Sequence, residues 1–529
     1  MVPSTTVNPD AGETRQTFSL RQAWNLASIC TLGMLAAGAT ALRFLFLARK
    51  PFWFDECFSV EVARMSWHDF AHLLWWREAN MSLYYLLLRG WLHWYVNPGF
   101  SPFFIRSFSV LFSLATLPAI FWLASTLFDR RVGLIAVALI SCNAYSIRYA
   151  QEARTYSLFV LLATLSSGFF VAYLREPSLR NRRAYILASV LAVYAHLYAL
   201  LLMVAQWLSV LGLPVAELEE ERESAPRVMV SSGVRKAWIL IALGALPLLA
   251  FVGKTGAGPI RWIPRPAFRN LRDFWQHLAG NAGWPLLLLY AAACLAAILP
   301  LRKRLFRLGA GWECWTRQFL LIWLLFPVAL TQVISLVRPL FLGRYFIFCL
   351  AALTILAAAG LASLRKTWMM AICLAVILLL SLQGTLSYYD HDFDLERDGS
   401  EVAANYIYDH AQPGDAILFH IAEARIPYEF FVSLREEKSG SMSGTRPEII
   451  FPRHGDRLDY RDVTGNPTSE FLRSIAPKYA RVWVVLMSNG TPGNPDTSTV
   501  ILSQTLAESF SREERVQFPQ VEVRLYSKP

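Results

Sequence analysis

Charge is thin in this sequence, and its cysteines build no framework. Asp, Glu, Lys and Arg make up only 17% of the 529 residues, against 55% apolar and 14% aromatic, where soluble domains sit near about 25% charged and 45–50% apolar. A chain so apolar is not intrinsically disordered, and without a Gly-X-Y period it is not collagen. The cysteines at 30, 57, 142, 294, 314, 349 and 373 contain no CxxC pair, and none follows residue 373. Neither a secreted disulfide scaffold nor a zinc cluster explains them. The sequence also lacks a basic stripe carrying a nucleic-acid module. Its net charge of +11 lies in short loops between apolar runs, which suits lipid headgroups and phosphate and not nucleic acid.

Long apolar runs separated by basic clusters are how a polytopic α-helical membrane protein distributes its residues. The polar segment 1–23 reads as a cytoplasmic tail, and Trp24 to Leu47 as a retained signal anchor, too long for a signal-peptide core. Further runs occupy 103–128, 132–149, 155–174, 182–195, 197–213, 236–253, 285–300, 317–337, 343–361 and 367–387, which predicts eleven transmembrane helices. The clusters at 129–131, 175–183, 234–236, 302–307 and 364–366 fall on alternate connections and should face the cytoplasm. That puts the N-terminus inside and the C-terminus outside. The apolar segment 81–96 breaks this alternation if it crosses, so it reads as an interfacial or re-entrant helix. Its Tyr84, Tyr85, Trp91, Trp94 and Tyr95 suit the headgroup boundary. The stretch 182–213 reads as two short helices meeting at His196, with one tilted helix as the alternative.

Three regions result: the tail 1–23, a transmembrane region 24–389 with a first outer loop at 48–102, and an extracytoplasmic domain at 390–529. The last has a soluble composition. Strand-like runs at Asp415 to His420, Arg481 to Met487 and Val521 to Tyr526 alternate with helical patterns near Glu401 to His410 and Val500 to Phe510, which predicts a small α/β domain. The acidic linker 390–398 lacks EF-hand spacing and reads as solvated. The NGT at 489–491 fits a glycosylation sequon, a pattern short enough to arise by chance.

Ionisable residues are nearly absent from the helix middles, unlike a transporter or proton pump. Chemistry-bearing residues collect instead at the predicted outer ends: FWFDECFS (52–59), WWREAN (75–80), IRYAQEARTY (147–156), AHLY (195–198) and RPLFLGRY (338–345). Asp55 and Glu56 taken alone fit an ordinary acidic helix end. With Glu78, Glu152 beside Arg154, and the arginines of later helices, they form a carboxylate and guanidinium set on one face. Such a set suits group transfer from a lipid phosphate: an acid takes the acceptor hydroxyl's proton and arginines hold the departing phosphate. Arg261, Arg265, Arg269 and Arg272 recur at helical spacing, and their face suits anionic lipid slightly better than a phosphate ligand.

The acidic pair in FWFDECFS, the acid ahead of an interfacial YYLLL, QEARTYSLFVLLATLS at 151–166, AHLYALLL at 195–202 and the late RPLFLGRY together resemble the GT-C superfamily of membrane glycosyltransferases. The likeness runs over roughly 24–390. It is strongest to the bacterial branch similar to the dolichyl-phosphate-mannose protein mannosyltransferases, the lipid A aminoarabinose transferases and the rhizobial lipopolysaccharide sugar transferases. The resemblance implies a polyprenyl-phosphate-linked sugar donor, a lipid, glycan or protein acceptor, an outward-facing active site in the bacterial inner membrane, and inversion at the anomeric carbon. It implies Asp55 as base with Glu56 as its acidic partner. Glu78, Gln151, Glu152, Arg154, Tyr156, His196, Arg344 and Tyr345 become substrate-binding candidates. Glu78 lacks the proline that follows the equivalent acid in related enzymes. Helix-end anchoring is the plainer role for Arg154 and Arg344, and core packing for His196. Some members use a divalent metal and others none; with no HExxH or DxD motif, no cofactor is assigned and the metal stays open. A lipid-linked saccharide flippase or a surface-polysaccharide polymerase or ligase are the alternative functions.

Overall fold

The computed structural model describes residues 26–94, 101–211, 232–256, 263–302, 311–391, 399–439, 444–455, 458–463, 465–487, 490–491 and 494–529. Tyr95, Arg261, the linker at 392–398 and Asn489 of the sequon lie outside them. Helix α1 (Leu26–Phe44) leads into a first outer loop carrying α2 (Phe54–Arg64), α3 (Trp67–Trp76) and α4 (Ser82–His93). Then follow α5 (Pro102–Leu127), α6 (Arg130–Ser141), α7 (Ala144–Ala150), α8 (Tyr156–Arg175), α9 (Leu179–Ala195) and α10 (Ala199–Val210). The helical region closes with α11 (Ser232–Thr255), α12 (Phe268–Ala279), α13 (Gly283–Ile298), α14 (Trp312–Ser335), α15 (Cys349–Ala362) and α16 (Thr367–Asp390).

Among the described residues, six helices are long and apolar enough to cross a membrane: α5, α8, α11, α13 with its 3-10 extension to Leu301, α14 and α16. The pair α6–α7, turned by 64°, counts as a seventh only as one broken span. Length and apolarity alone thus support six or seven of the eleven expected crossings; α1, α10 and α15 are apolar but shorter. Helix α4, with 12 residues, spans only about 18 Å, too short for a bilayer core of about 30 Å. It does not hold all its aromatic rings at a headgroup boundary, however. Tyr84 and Tyr85 are fully buried against the bundle, whereas Trp94 is 75% exposed.

Polar residues fix the breaks. Asn143 caps α7 by accepting from Ser146 N at 3.0 Å, and its amide donates to Leu278 O. Arg43, fully buried, donates to the carbonyls of Ser141 and Ile140 at the C-terminal end of α6, and to Ser113 and Ser146. A guanidinium there satisfies the exposed C-terminal carbonyls of a helix end. Between α9 and α10, His196 is extended, which ends α9 at the position the sequence indicated. Close backbone approach needs glycine at two places: a Cβ at Gly360 would collide with the Ala293 carbonyl, and one at Gly384 with the Gly280 carbonyl.

The C-terminal region forms α17 (Ser400–His410), β1 (Ala416–His420), α18 (Arg425–Ser439), β2 (Glu448–Phe451), α19 (Ser469–Ile475), β3 (Arg481–Met487), α20 (Thr497–Ala507), β4 (Arg512–Phe518) and β5 (Val521–Ser527). One five-stranded sheet has the order β2-β1-β3-β5-β4, with β1 parallel to β2 and β3 and the other pairs antiparallel. The interior strand β1, between β2 and β3, is buried throughout, as the all-apolar AILF run requires. Strands β2 and β4 and helices α18 and α19 were not evident from the sequence pattern. Edge strand β4 reads REERVQF and exposes most of its residues, the charged character that protects a sheet edge.

Candidate active site

The first turn of α2 sets the site. Trp53 is extended ahead of the helix, and Asp55 and Glu56 occupy its first turn, where carboxylates complement the helix dipole. The two acids then diverge. Glu56 turns inward and is fully buried. Arg106 Nε donates to its Oε1 at 2.8 Å and Nη2 to its Oε2 at 2.7 Å. Ala153 N donates to the same Oε1 at 2.9 Å. The remaining donors of Arg106 reach Leu47 O, Lys50 O and Pro51 O. Asp55 stays partly open, at 15% side-chain exposure, and lies between two guanidiniums: its Oδ2 is 3.7 Å from Arg154 Nη2 and 3.5 Å from Arg344 Nη2. Segments about 100 and 290 residues apart in sequence therefore meet at one carboxylate.

The bend after α7 aims the QEAR segment. Gln151 is buried, donates to Arg43 O and Leu45 O, and accepts from Tyr388 OH at 3.1 Å. It ties the segment to α1 and α16. Glu152 faces Arg148 at 3.4 Å and lines a cavity. Arg154 Nη1 donates to Asp55 O, Ser59 Oγ and the Tyr85 hydroxyl at 3.2–3.4 Å. Tyr156 is buried beside Tyr149, with ring centroids 4.7 Å apart. His196 stacks on Phe159 at 5.0 Å, lies 4.8 Å from Tyr345, and accepts from Tyr198 N at Nδ1. The Tyr156 hydroxyl, His196 Nε2 and Arg154 Nε have no hydrogen-bond partner among the described residues. Buried donors in that condition mark a place built for another polar group.

Glu78 follows α3 in the same outer loop, beside Asn80, whose Oδ1 accepts from Leu197 N and ties this loop to the His196 break. Burial lifts the Glu78 carboxyl from its ordinary 4.5 to about 7; the Arg154 charge opposes the rise and the Asp55 charge adds to it. Glu78 thus lies within electrostatic reach of both.

Beside this cluster is a cavity of about 310 Å³ whose wall includes Trp53, Tyr145, Tyr149, Arg148, Glu152, Asn270, Asp273, His277 and Arg344. Arg344 belongs to both cluster and cavity. Trp53, Arg148 and the α12 residues Asn270, Asp273 and His277 were missed in the sequence. The available signal was the amphipathic pattern of α12, which was read for its arginines alone. Arg269 and Arg272 flank Asp273 at 3.4 and 2.7 Å, so that face carries ion pairs and not a bare basic stripe. Arg265 precedes the helix and is exposed.

The residues present do not suit a divalent cation. Asp55, Glu56 and Glu152 each already face a guanidinium, and a dication there would meet Arg154, Arg344, Arg106 and Arg148. A carboxylate and histidine group elsewhere, His454 with Asp459 and Asp462, is an ion-pair network with Arg461 and Arg425.

No protein-family model and no curated protein matches the sequence. Solved structures do. ArnT from Cupriavidus metallidurans in the apo state superposes with a TM-score of 0.59 at 13% identity, covering 94% of this chain and 98% of that one. The same protein bound to undecaprenyl phosphate gives 0.58 at 13%, covering 93% and 97%. The archaeal oligosaccharyltransferase AglB from Archaeoglobus fulgidus, in complex with an inhibitory peptide and a dolichol-phosphate, gives 0.51 at 11%, covering 87% and 69%. The chain has the fold of these solved structures: a polytopic helical region with helices apolar and long enough to cross a membrane, followed by a small α/β domain.

Proposed function

We propose that this chain is an integral membrane glycosyltransferase that moves a sugar from a polyprenyl-phosphate donor to an acceptor hydroxyl outside the cytoplasm, inverting the anomeric carbon. The observation that carries this reading is one carboxylate, Asp55, set between two arginines at 3.5 and 3.7 Å beside a polar and aromatic cavity. Two guanidiniums and one carboxylate leave one positive charge, the complement of a phosphodiester's single negative charge. A structural neighbour binds undecaprenyl phosphate, the phosphomonoester that departs when such a donor gives up its sugar.

In the proposed reaction the donor phosphate lies against Arg344 and Arg154 and draws them from Asp55. The freed carboxylate accepts the acceptor's hydroxyl proton. The acceptor oxygen forms its bond to the anomeric carbon as the bond from that carbon to the phosphate oxygen breaks, and the departing electron pair stays on the phosphate beside the arginines. Trp53, Tyr145 and Tyr149 supply flat apolar faces for a sugar ring, while Asp273 and His277 supply polar partners. Glu56 has both oxygens engaged by Arg106, so its part is to hold α2 and the Ala153–Arg154 backbone in register. Glu78 sets the charge of the cluster. Gln151 holds the QEAR segment, and Tyr156, His196 and Tyr345 line its inner side. The enzyme resides in the bacterial inner membrane with its N-terminus cytoplasmic and its C-terminal domain outside.

The test is Asp55→Asn in proteoliposomes supplied in turn with radiolabelled undecaprenyl-phosphate mannose, glucose and arabinose and an envelope lipid extract. Transfer by the wild type and a loss of roughly 100-fold or more in the variant is expected for removal of a general base. Undiminished transfer rejects the assigned base.

A further inference from the structure

Resting on the reading of α2 as the carrier of the base, we infer that the C-terminal α/β domain is a positioning element of the active site and acts through Phe430. The ring of Phe430, on α18 and 1% exposed, meets the ring of Phe52 edge-on, with centroids 5.4 Å apart and planes at 70°. Phe52, 2% exposed, lies in turn under Arg106, whose Cζ is 4.7 Å from the ring centroid. Arg106 grips both oxygens of Glu56, and Glu56 accepts from Ala153 N, the residue before Arg154. A continuous row of buried contacts thus runs from the soluble domain to the two segments that present Asp55 and Arg154.

The row explains why an aromatic stands at each of two positions. An edge-to-face pair fixes the plane of Phe52, and a ring face fixes the plane of the guanidinium above it. The guanidinium plane in turn sets where a bidentate carboxylate must lie. Docking is reinforced away from the row. Tyr460 stacks on His72 of α3 at 4.9 Å and 25°, and Glu423 feels the charge of Arg77, next to Glu78. The domain therefore meets the first outer loop at Phe52, at His72 and near Arg77. Its other core, beneath the opposite face of the sheet, contains Phe510 with Leu418, Val484 and Tyr526 and does not include Phe430 or Phe52.

The experiment compares full-length Phe430→Ala, Phe430→Leu and Phe510→Ala in nanodiscs, with two readouts: amide hydrogen exchange across residues 54–64, and kcat and KM with the three radiolabelled donors named above. Phe430→Ala is expected to speed exchange in that segment and to lower kcat, each by roughly tenfold, with the donor KM within about twofold, because displacement of a reacting group by about 1 Å costs rate more than binding. Phe430→Leu falls between it and wild type, and carries the test alone if the alanine variant does not fold. Phe510→Ala shifts neither readout in segment 54–64 or in kcat. Wild-type exchange and kcat in both Phe430 variants, an equal loss in Phe510→Ala, or a change confined to KM would overturn the inference. Asp55→Asn in the same assay separates the two claims: if it is inactive while Phe430→Ala is silent, the clamp fails and the assigned base survives; if it is active, the base fails.

Discussion

Replacing Arg106 by Met puts the buried pin of the site to a quantitative test. Arg106 is 1% exposed and Glu56 0%, with both carboxylate oxygens engaged at 2.7–2.8 Å. Met keeps much of the side-chain volume, so cavity formation is a minor part of the cost. The loss is electrostatic: a buried carboxylate loses the guanidinium that holds both its oxygens, and the carbonyls of Leu47, Lys50 and Pro51 lose a charged donor. Removing one partner of such a pair costs about 3–5 kcal/mol, a fall in Tm of roughly 6–20 °C by the scaling of mid-sized domains. The exposed pair Arg473–Glu508, at 59% and 53% side-chain exposure, provides the contrast, and Arg473→Met should leave Tm nearly unchanged. Thermal unfolding in detergent reads both. The double variant Arg106→Met with Glu56→Leu should be more stable than Arg106→Met alone, because it removes the stranded charge. An Arg106→Met protein within about 1 kcal/mol of wild type would refute the reasoning.

Because the Glu78 carboxyl is raised to about 7, it is neutral below that pH and anionic above it. The site then loses its net positive charge as pH rises from 6 to 8, and affinity for undecaprenyl phosphate should fall by roughly fivefold more in wild type than in Glu78→Gln, about 1 kcal/mol of Coulomb energy. The variant retains only the probe's own titration; identical profiles would remove Glu78 from the charge balance. Arg344→Ala should weaken undecaprenyl phosphate by roughly 10-fold or more, and Arg344→Lys should recover part of that, lacking the planar fork; calorimetric titration in nanodiscs checks both. Gly360→Ala drives a methyl into the Ala293 carbonyl, while Gly38→Ala meets nothing within 4 Å. The first should lower Tm by several degrees and the second should not, a pair of scans that tests the close packing of α13 on α15.

How much of this was legible in the sequence depends on what each residue contacts. Asp55, Arg154 and Arg344 were each placed at an outer helix end by the alternation of basic loops, and the fold brings them together at one carboxylate. The break at His196 was visible because one tilted helix over 182–213 would reverse the side of every later basic loop, whereas two short helices keep the alternation. The partner of Glu56 was not visible. Arg106 stands in an apolar run, where a charge demands an internal partner, but nothing in the local spacing says that the partner lies 50 residues earlier. Arg43 hid for the same reason, its acceptors being backbone carbonyls about 100 residues away. The α12 side of the cavity was missed because Asp273 and His277 carry no motif and acquire meaning only opposite Arg344 and Trp53. Tyr84 and Tyr85 misled in the other direction: aromatic rings suit both a headgroup boundary and a buried bundle face, and only tertiary packing decides between them.

The most direct test of the central claim, that Asp55, Arg154 and Arg344 form one lipid-phosphate site, is a cryo-EM structure of the full chain in nanodiscs with undecaprenyl phosphate. The account predicts phosphate density within hydrogen-bond distance of both guanidiniums, with Asp55 released from them and facing the cavity. Phosphate density bound elsewhere, with Asp55 still held between the two arginines, would contradict it.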